Sequence, residues 1–427
     1  MIKKPFFGFG KPNLKYSIVG AHGEESLEDI PRPSRAYLSV KDSFEGVDEL
    51  IVRLGDKVRT GQKLKLTVKS LHPFVSPVTG KITSISRQVG HLGESFTSIA
   101  IEVMEDLWDE EFSRAARSPS PQVVQEFLGS LPGQRGLGTL LGHQPPLKTF
   151  VIHGLDQDLL VTTNQIALKT GGDHFKRGAE ILKSITGAEK LILLVSSELA
   201  SHAKSDGLEV RQMDSPYPAM MPKLVMKNVL GKEVPAGREC EAMGVGFINA
   251  EAVVSLGKAF AQSQVPVHKL LTVIRRNGSL INARARIGTP VRDVLTALQI
   301  GTARGDRVVV GGPMAGRALF SEETPVLYDT DAVMVQDQEE IVKGSDAHCV
   351  NCGECVRACP AHVPLNMLIR FLENGMWEDA VDQYDLLSCV ECGLCSYVCP
   401  ARIPLLHWIM LGKHEFKQMK LAESSHA

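Results

Sequence analysis

The pattern of hydrophobic and polar positions changes along the chain and predicts a different architecture for each part. Between residues 30 and 105, short apolar runs, among them 47–54, alternate with glycine-containing turns, which is typical of short strands in a small β-domain. Between 110 and 235, apolar runs of strand length alternate with amphipathic stretches, which favours an α/β domain with a parallel sheet. The strand-like runs lie at 150–154, 191–195 and 208–210, and the helical stretches at 164–185 and 222–230.

A third pattern occupies residues 240–325. Two apolar runs meet at Asn277-Gly278, a dipeptide that favours a two-residue hairpin turn. Pro290 then opens a predicted helix in the favoured first position, and a further strand runs into the glycine-rich stretch 311–316, which we expect to form a tight turn. Strand, hairpin, helix and strand in so short a segment suggest a β-grasp domain.

Eight of the nine cysteines lie between residues 349 and 399. They form two runs with the spacing C-x2-C-x2-C-x3-C-P, and the second repeats the first forty positions later, which indicates an internal duplication. In two-cluster ferredoxins, three thiolates of such a run bind one [4Fe-4S] cluster and the fourth, before the proline, binds the other cluster. The predicted ligands are therefore Cys349, Cys352, Cys355 and Cys399 for one cluster, and Cys389, Cys392, Cys395 and Cys359 for the other.

Zinc and disulfide bonds are the competing uses of these cysteines. Zinc ribbons use C-x2-C pairs and do not need runs of four with a trailing proline, and disulfide bonds are rare in a cytosolic chain. Apolar residues at helical spacing between the runs predict a helical ferredoxin-like domain at 338–412, before a polar tail at 413–427 that we expect to fray. The ninth cysteine, Cys240, is expected to be a small buried hydrophobic residue.

Length, charge and composition narrow the class of protein. The 427 residues suffice for about three domains, and 43% hydrophobic with 22% charged residues is ordinary for globular proteins. The net charge of −2 argues against nucleic acid and anionic membranes as main partners. No apolar run reaches the ~18 residues of a membrane span, and the first residues lack the apolar core of a secretory signal. We therefore expect a cytosolic protein that meets a membrane only through partner subunits.

Two local sequences are weaker candidates for binding a ligand. A loop with Gly133, Gly136 and Gly138 offers backbone N–H groups to a phosphate, but its spacing is not the dinucleotide fingerprint, and it follows a helix rather than a strand. The stretch 54–82 resembles the barrel-sandwich hybrid of lipoyl and biotinyl domains. In those carriers a lysine at a hairpin tip bears a swinging arm. Lys69 lacks the flanking residues of such a lysine, so we expect a structural β-domain.

The order of these parts resembles the C subunit of the Rnf electron transport complex, from about residue 30 to 410. The most specific matching strings are the two cysteine runs, Gly-Thr-Pro-Val at 288–291 and Val-Gly-Gly-Pro-Met-Ala-Gly at 310–316. The resemblance implies an α/β multidomain protein. Its parts would be a barrel-sandwich hybrid β-domain (30–105), an α/β Rossmann-like domain similar to the flavin subunit of complex I (110–235), a β-grasp domain (240–325) and a helical ferredoxin-like domain with two [4Fe-4S] clusters (338–412).

This resemblance implies a peripheral subunit on the cytoplasmic face of a membrane complex. In the family, the C subunit binds FMN, exchanges a hydride with NADH and passes electrons through two [4Fe-4S] clusters. The complex couples electron flow between ferredoxin and NAD to sodium or proton translocation. The implied partners are the other Rnf-type subunits, membrane-bound and ferredoxin-like, with a ferredoxin or a cytochrome as a further electron partner.

The sequence departs from the family where the nucleotides should bind. Residues 135–142 stand in place of the family's G-x-G-G-A-x-F-P-T loop, 153–159 in place of N-G-A-E-C-E-P, and 217–222 in place of Y-P-x-G-x-E. Acidic residues that orient the flavin and glycines that admit phosphates are missing from these segments. The sequence therefore predicts that the NADH and FMN site is weakened or lost, which leaves FMN and NAD undecided as cofactors. Electrons would then enter or leave through a protein partner.

Two other functions stay open at the level of sequence. One is a soluble iron-sulfur reductase that delivers electrons to a corrinoid or another enzyme. The other is a docking scaffold, in which the α/β domain only holds the cluster domain. The sequence nominates no catalytic residue, because no histidine pairs with a carboxylate at informative spacing. His348 and His362 flank the first cysteine run and are candidates for hydrogen bonding near a cluster.

Overall fold

The computed structural model describes residues 12–19, 26–41, 51–65, 74–200 and 207–426. Its strands are β1 Leu27–Asp29, β2 Arg35–Lys41, β3 Lys57–Val58, β4 Lys63–Leu64, β5 Phe74–Val75, β6 Gly80–Val89, β7 Ser95–Val103, β8 Thr149–His153, β9 Lys190–Val195, β10 Leu208–Gln212, β11 Val245–Asn249, β12 His268–Ile274, β13 Leu280–Arg286, β14 Arg307–Val310, β15 Arg317–Ala318 and β16 Ala332–Gln336. Its helices are α1 Glu111–Ala115, α2 Pro121–Phe127, α3 Leu137–Leu141, α4 Thr163–Gly171, α5 Asp173–Thr186, α6 Pro222–Asn228, α7 Ala250–Gln262, α8 Val291–Ala297, α9 Glu354–Ala358, α10 Leu365–Glu373, α11 Trp377–Asp382, α12 Leu394–Val398 and α13 Leu405–His426.

The first sheet is antiparallel, with the strand order β2-β7-β6-β3, and β4 pairs with β5 beside it. Alternate residues of its strands are buried, among them Leu38, Ile82 and Ile101, so one face of the sheet forms the core of this β-domain. The β-domain predicted from the short apolar runs is therefore built from short strands and turns.

One run in this β-domain, 47–54, was expected to be a strand, and its described part is not. Residues 51–53 contain no strand and a turn follows at 54–55, where the Asp56 carboxylate accepts a hydrogen bond from the Arg53 N–H at 2.7 Å. The rest of that run lies outside the described residues. So do the N-terminal segment examined for a secretory signal and Lys69, the lysine considered for a swinging arm.

The second sheet has four parallel strands in the order β10-β9-β8-β11. Helices α4, α5 and α7 pack on one face and α6 on the other, which explains why the strands are continuous apolar runs. The fourth strand, β11, comes from beyond residue 235. The chain runs from β8 outward to β9 and β10 and then returns to the other side of β8. The switch point, where parallel α/β sheets bind ligands, therefore lies at the carboxyl ends of β8 and β11.

The third sheet is mixed, with the order β1-β13-β12-β16-β14-β15. The predicted hairpin forms between β12 and β13, but its turn has Arg276 and Asn277 at the centre, and Gly278 follows with a positive φ of +78°. The helix predicted to open at Pro290 begins one residue later, with Pro290 at the N-cap. Pro290 stays extended, because it forms a β-bridge with Pro325.

The C-terminal part is helical, and the apolar stripe predicted between the cysteine runs lies on α10, which turns it into the core. The expectation that the chain frays from Lys413 onward is wrong, because α13 continues through the polar segment. Gly412 of α13 packs closely against Leu372 of α10, and Lys420 pairs with Glu378 of α11 at 3.2 Å. Tertiary contacts of this kind order a segment whose composition alone is typical of a tail.

Candidate iron-sulfur centre

The two cysteine runs fold in the same way. The residue before the second cysteine, Asn351 or Glu391, has a left-handed backbone with φ of 54° or 58°. The glycine after that cysteine, Gly353 or Gly393, has φ of 74° or 73°, which glycine adopts without strain. The chain then enters a short helix, α9 or α12, that carries the third cysteine. The duplication in the sequence is therefore also a duplication of local structure.

The structure brings Cys399 to the first cysteine run. Cys349, Cys352, Cys355 and Cys399 line a single cavity. Most of the other side chains in its wall are apolar: Val350, Leu365, Ile369, Ile403 and Leu405. The fourth cysteine of the second run thus faces the thiols of the first, in the arrangement that the exchange of fourth ligands requires. Ligation itself stays a prediction.

The reciprocal set gathers around the second run. Cys389, Cys392, Cys395 and Cys359 are all buried. Burial, with the nearby thiol groups of Cys389 and Cys359 adding to it, raises the pKa of the Cys392 thiol to about 12. Cys359, although it belongs to the first run by sequence, is thus an electrostatic neighbour of the second.

The thiols of these sets are uncharged in the absence of metal. Burial, with Cys349, Cys352 and Cys399 adding to it, raises the pKa of Cys355 to about 12. A buried thiol of this kind stays protonated until a metal supplies compensating positive charge, so cluster binding would release protons. Across the described ranges, no three His, Cys, Asp or Glu side chains meet closely enough for a single metal ion. A four-iron cluster makes no such demand, because each thiolate binds a different iron.

The second run is docked against the rest of the protein. The Tyr217 hydroxyl donates a hydrogen bond to the Cys392 carbonyl at 2.6 Å. Gly393 lies so near the backbone of Met314 that a Cβ would stand 2.3 Å from the Met314 carbonyl oxygen. Asp158 holds the turn that contains Met314, because its carboxylate accepts hydrogen bonds from the N–H groups of Met314 and Ala315. The predicted turn at 311–316 therefore positions the second cysteine run, which no local signal in the sequence indicated.

Replacing Gly393 with alanine should destabilise the protein more than the matched change at Gly353. Both glycines have the same left-handed backbone, which costs a non-glycine residue about 1–2 kcal/mol. A Cβ at position 353 meets nothing closer than the flexible Arg357 side chain at 3.4 Å, whereas at 393 it strikes the Met314 carbonyl. We expect Gly353→Ala to lower the free energy of unfolding by about 1–2 kcal/mol and Gly393→Ala by roughly 3 kcal/mol or more. Equal losses in denaturant titrations would show that the contact with Met314 does not form.

The remaining candidates from the sequence have simpler environments. Cys240 is buried, as expected, and burial raises the pKa of its thiol to about 11, so it is a small apolar side chain and not a reactive one. His348 and His362 are both exposed at the surface beside the first run.

The glycine-rich loop does not present its N–H groups to a phosphate. The Gly133 N–H donates to the Tyr328 carbonyl at 2.7 Å, and the Gly138 N–H donates to the Gly129 carbonyl at 3.1 Å. Gly136 has a left-handed backbone and is the N-cap residue of α3. The second half of the predicted loop is therefore helical. Gly133 also packs directly on Glu251, since a Cβ there would lie 2.8 Å from the Glu251 Cβ. The loop is therefore closed against α7.

Buried side chains fill the switch point of the parallel sheet. Asp156, just after β8, is fully buried and accepts hydrogen bonds from the backbone and side chain of Asn164 and from the side chain of Gln165. Glu251, just after β11, is bound to the buried Lys269 at 2.5 Å. Asp156 therefore binds the protein's own amide groups and Glu251 is paired with Lys269, so these polar groups at the switch point are already engaged within the protein. The residues present do not fit the FMN that the family resemblance implies.

None of the helices in the described part of the chain combines the length and the apolar run that crossing a membrane requires.

Two family models match the chain. The model described as RnfC Barrel sandwich hybrid domain matches residues 21–106, which confirms the predicted fold of the first β-domain. The model described as 4Fe-4S dicluster domain matches residues 348–403, which confirms an iron-sulfur domain in this part of the chain.

Curated relatives match most of the chain. The C subunit of an ion-translocating oxidoreductase complex from Pectobacterium carotovorum subsp. carotovorum is 25% identical over 78% of this chain and 48% of its own length. The C subunit of a proton-translocating ferredoxin:NAD(+) oxidoreductase complex from Clostridium ljungdahlii is 26% identical over 88% of both chains. The chain spans about half the length of several of these relatives.

Among solved structures, an NAD+-reducing [NiFe]-hydrogenase in the H2-reduced state aligns with a TM-score of 0.45, at 17% identity over 70% of this chain and 63% of that chain. The two family models place a barrel-sandwich hybrid domain before a 4Fe-4S dicluster domain, and the curated relatives carry the name of the family that the sequence resembles. Over most of its length the chain is similar to the C subunits of Rnf-type ion-translocating oxidoreductase complexes.

Proposed function

We propose that this chain is the peripheral electron-transfer subunit of a membrane-bound complex that couples redox chemistry to ion translocation. The observation that carries the proposal is the cavity in which Cys399, from the second run, joins the three cysteines that open the first run. A pair of neighbouring [4Fe-4S] clusters of this kind needs two sets of four thiols, in which each cysteine run gives its fourth thiol to the other set. The names of the curated relatives, which are C subunits of such complexes, support the same function.

The eight cysteines would hold two clusters, which supply one-electron redox chemistry when bound. The first set would be Cys349, Cys352, Cys355 and Cys399, and the second Cys389, Cys392, Cys395 and Cys359. The helices α9 and α12 pack against each other, and Cys355 on α9 is an electrostatic neighbour of Cys395 on α12. The two sets are therefore close enough for the chain to relay electrons between them.

We also propose that this chain relays electrons without oxidising NADH itself. The support is the closed glycine-rich loop and the buried carboxylates at the switch point. Without a flavin to split a hydride into single electrons, both the donor and the acceptor must exchange single electrons. A ferredoxin, a cytochrome or a ferredoxin-like subunit of the same complex has that chemistry.

The proposed setting is the cytoplasmic face of the cell membrane, with attachment through the other Rnf-type subunits. We propose the four-part layout as well: a barrel-sandwich domain, an α/β domain, a β-grasp domain and the cluster domain. The separate sheets and the helical C-terminal part support this division.

Reduction of the anaerobically purified protein by different donors tests the proposal. The absorbance of the iron-sulfur clusters should bleach on addition of a reduced low-potential ferredoxin and should not bleach within minutes on addition of NADH with FMN. The Clostridium ljungdahlii relative, whose name includes ferredoxin:NAD(+) oxidoreductase, serves as the comparison protein under the same conditions. Rapid bleaching of this chain by NADH with FMN would refute the loss of the nucleotide site. Failure of every reductant to bleach it would refute electron transfer.

A further inference from the structure

The two predicted cluster sites differ in their surroundings, although their cysteine runs are duplicates. Of the second set, all four cysteines are buried, whereas Cys349, Cys352 and Cys399 of the first set are partly exposed. Adding an electron to a cluster increases its negative charge, and a low-dielectric environment opposes that change. Burial alone would therefore make the second cluster harder to reduce than the first.

A lysine stands beside the more buried set. The Lys413 ammonium group donates hydrogen bonds to the Cys389 carbonyl and to a carboxylate oxygen of Glu391, each at 2.7 Å. Its side chain is only 20% exposed, because α13 packs across the second cysteine run. The Glu391 N–H in turn donates to the Cys389 sulfur at 3.3 Å. One ligand of the second set is thus held by a cation on one side and by a backbone donor on the other.

The duplication does not reproduce this lysine at the first set. The residue forty positions before Lys413 is Glu373, which is exposed at the end of α10. A cation near the first set is Arg357, which donates to the Cys352 carbonyl at 3.0 Å and is paired with Glu354. Its side chain is 58% exposed, so water screens its charge more than that of Lys413.

Resting on the proposed function, we infer that Lys413 is a positioning residue that keeps the more buried of the two clusters reducible. Its charge favours the extra electron on that cluster, and its bond to Glu391 fixes the strained left-handed residue whose N–H faces the Cys389 sulfur. Cations and hydrogen bonds near the sulfurs are general means by which a protein raises a cluster's reduction potential. The two duplicated cysteine runs would therefore bind clusters with different reduction potentials.

Redox titration of the holoprotein, followed by visible absorbance and electron paramagnetic resonance, tests this role. Lys413→Met should move one of the two midpoint potentials to a lower value and leave the other in place. Lys413→Arg keeps the charge and should stay close to the parent protein, which also separates the electrostatic effect from a fault in folding. Arg357→Gln, the matched change at the first set, should produce a smaller shift, and in the other potential.

Iron counts on all four proteins come first, so that two kinds of failure are told apart. A missing cluster in the parent protein overturns the proposed function and with it the role of Lys413. Two full clusters with unmoved potentials in Lys413→Met overturn the role of Lys413 alone. So do equal shifts in Lys413→Met and Lys413→Arg, or a shift of both potentials together, since either result would point to a general structural change.

Discussion

Replacing Cys399 with alanine should remove the cluster of the first cysteine run, although Cys399 belongs to the second run by sequence. The iron content should fall from about eight towards four per chain, because a cubane with only three thiolates is held more weakly and the iron without a thiolate is the first to be lost. The structural reason is the cavity that Cys399 shares with Cys349, Cys352 and Cys355. Iron and acid-labile sulfide analysis of anaerobic preparations measures the effect.

Pairs of substitutions reveal which cluster each cysteine serves. Cys399→Ala combined with Cys355→Ala should still leave about four irons, because both residues serve one cluster. Cys399→Ala combined with Cys395→Ala should leave none, because the two residues serve different clusters. The opposite outcome would mean that each run binds its own cluster without exchange, and the predicted ligand sets would be wrong.

Lys269→Met should be among the most destabilising single substitutions outside the cluster domain. Lys269 is fully buried in β12 and donates to Glu251 of α7 at 2.5 Å and to Asp331, just before β16, at 2.9 Å. Burial acts to lower the pKa of Lys269, but the carboxylates of Asp331 and Glu251 outweigh it and raise that pKa, so the lysine is charged. Removing it leaves Glu251 buried and unpaired, which costs about 3–5 kcal/mol. Denaturant titration near neutral pH measures the loss.

The double variant Lys269→Met/Glu251→Gln is the control for this prediction. Glutamine removes the unpaired charge and still accepts the hydrogen bond that the Leu270 N–H gives to Glu251 at 2.7 Å. Most of the lost stability should therefore return. If the double variant is no more stable than Lys269→Met, the cost does not come from an uncompensated carboxylate.

The sequence predicted those features that depend on local chain geometry. The spacing of the cysteines fixes which thiols can converge, and Gly278 favours the hairpin through the positive φ that it adopts. The apolar stripe of α10 was visible because helical periodicity is itself local.

Features that depend on contacts between distant segments could not be predicted in this way. The part of α13 beyond Lys413 is polar in composition. It is helical because α13 packs against α10 and α11. The bond from Tyr217 to the Cys392 carbonyl joins residues far apart in sequence, and neither residue signals the other. The pair of Glu251 and Lys269 likewise became visible only when β11 and β12 were placed in their sheets.

The nucleotide site lies between these cases. Comparison with the family's sequence strings indicated that the nucleotide-binding loops had changed. It did not indicate which contacts the changed loops make. In the structure Asp156 is hydrogen-bonded to neighbouring side chains, and the glycine N–H groups of the loop bond to the protein itself, which supports the proposed loss of the site.

Anaerobic purification followed by counts of iron, acid-labile sulfide and acid-released flavin gives the decisive result. The proposed relay of two [4Fe-4S] clusters without a flavin predicts about eight irons and about eight sulfides per chain, with flavin near zero. A colourless protein without iron, or one that carries zinc, would contradict the two-cluster relay, and one flavin per chain would contradict the loss of the nucleotide site.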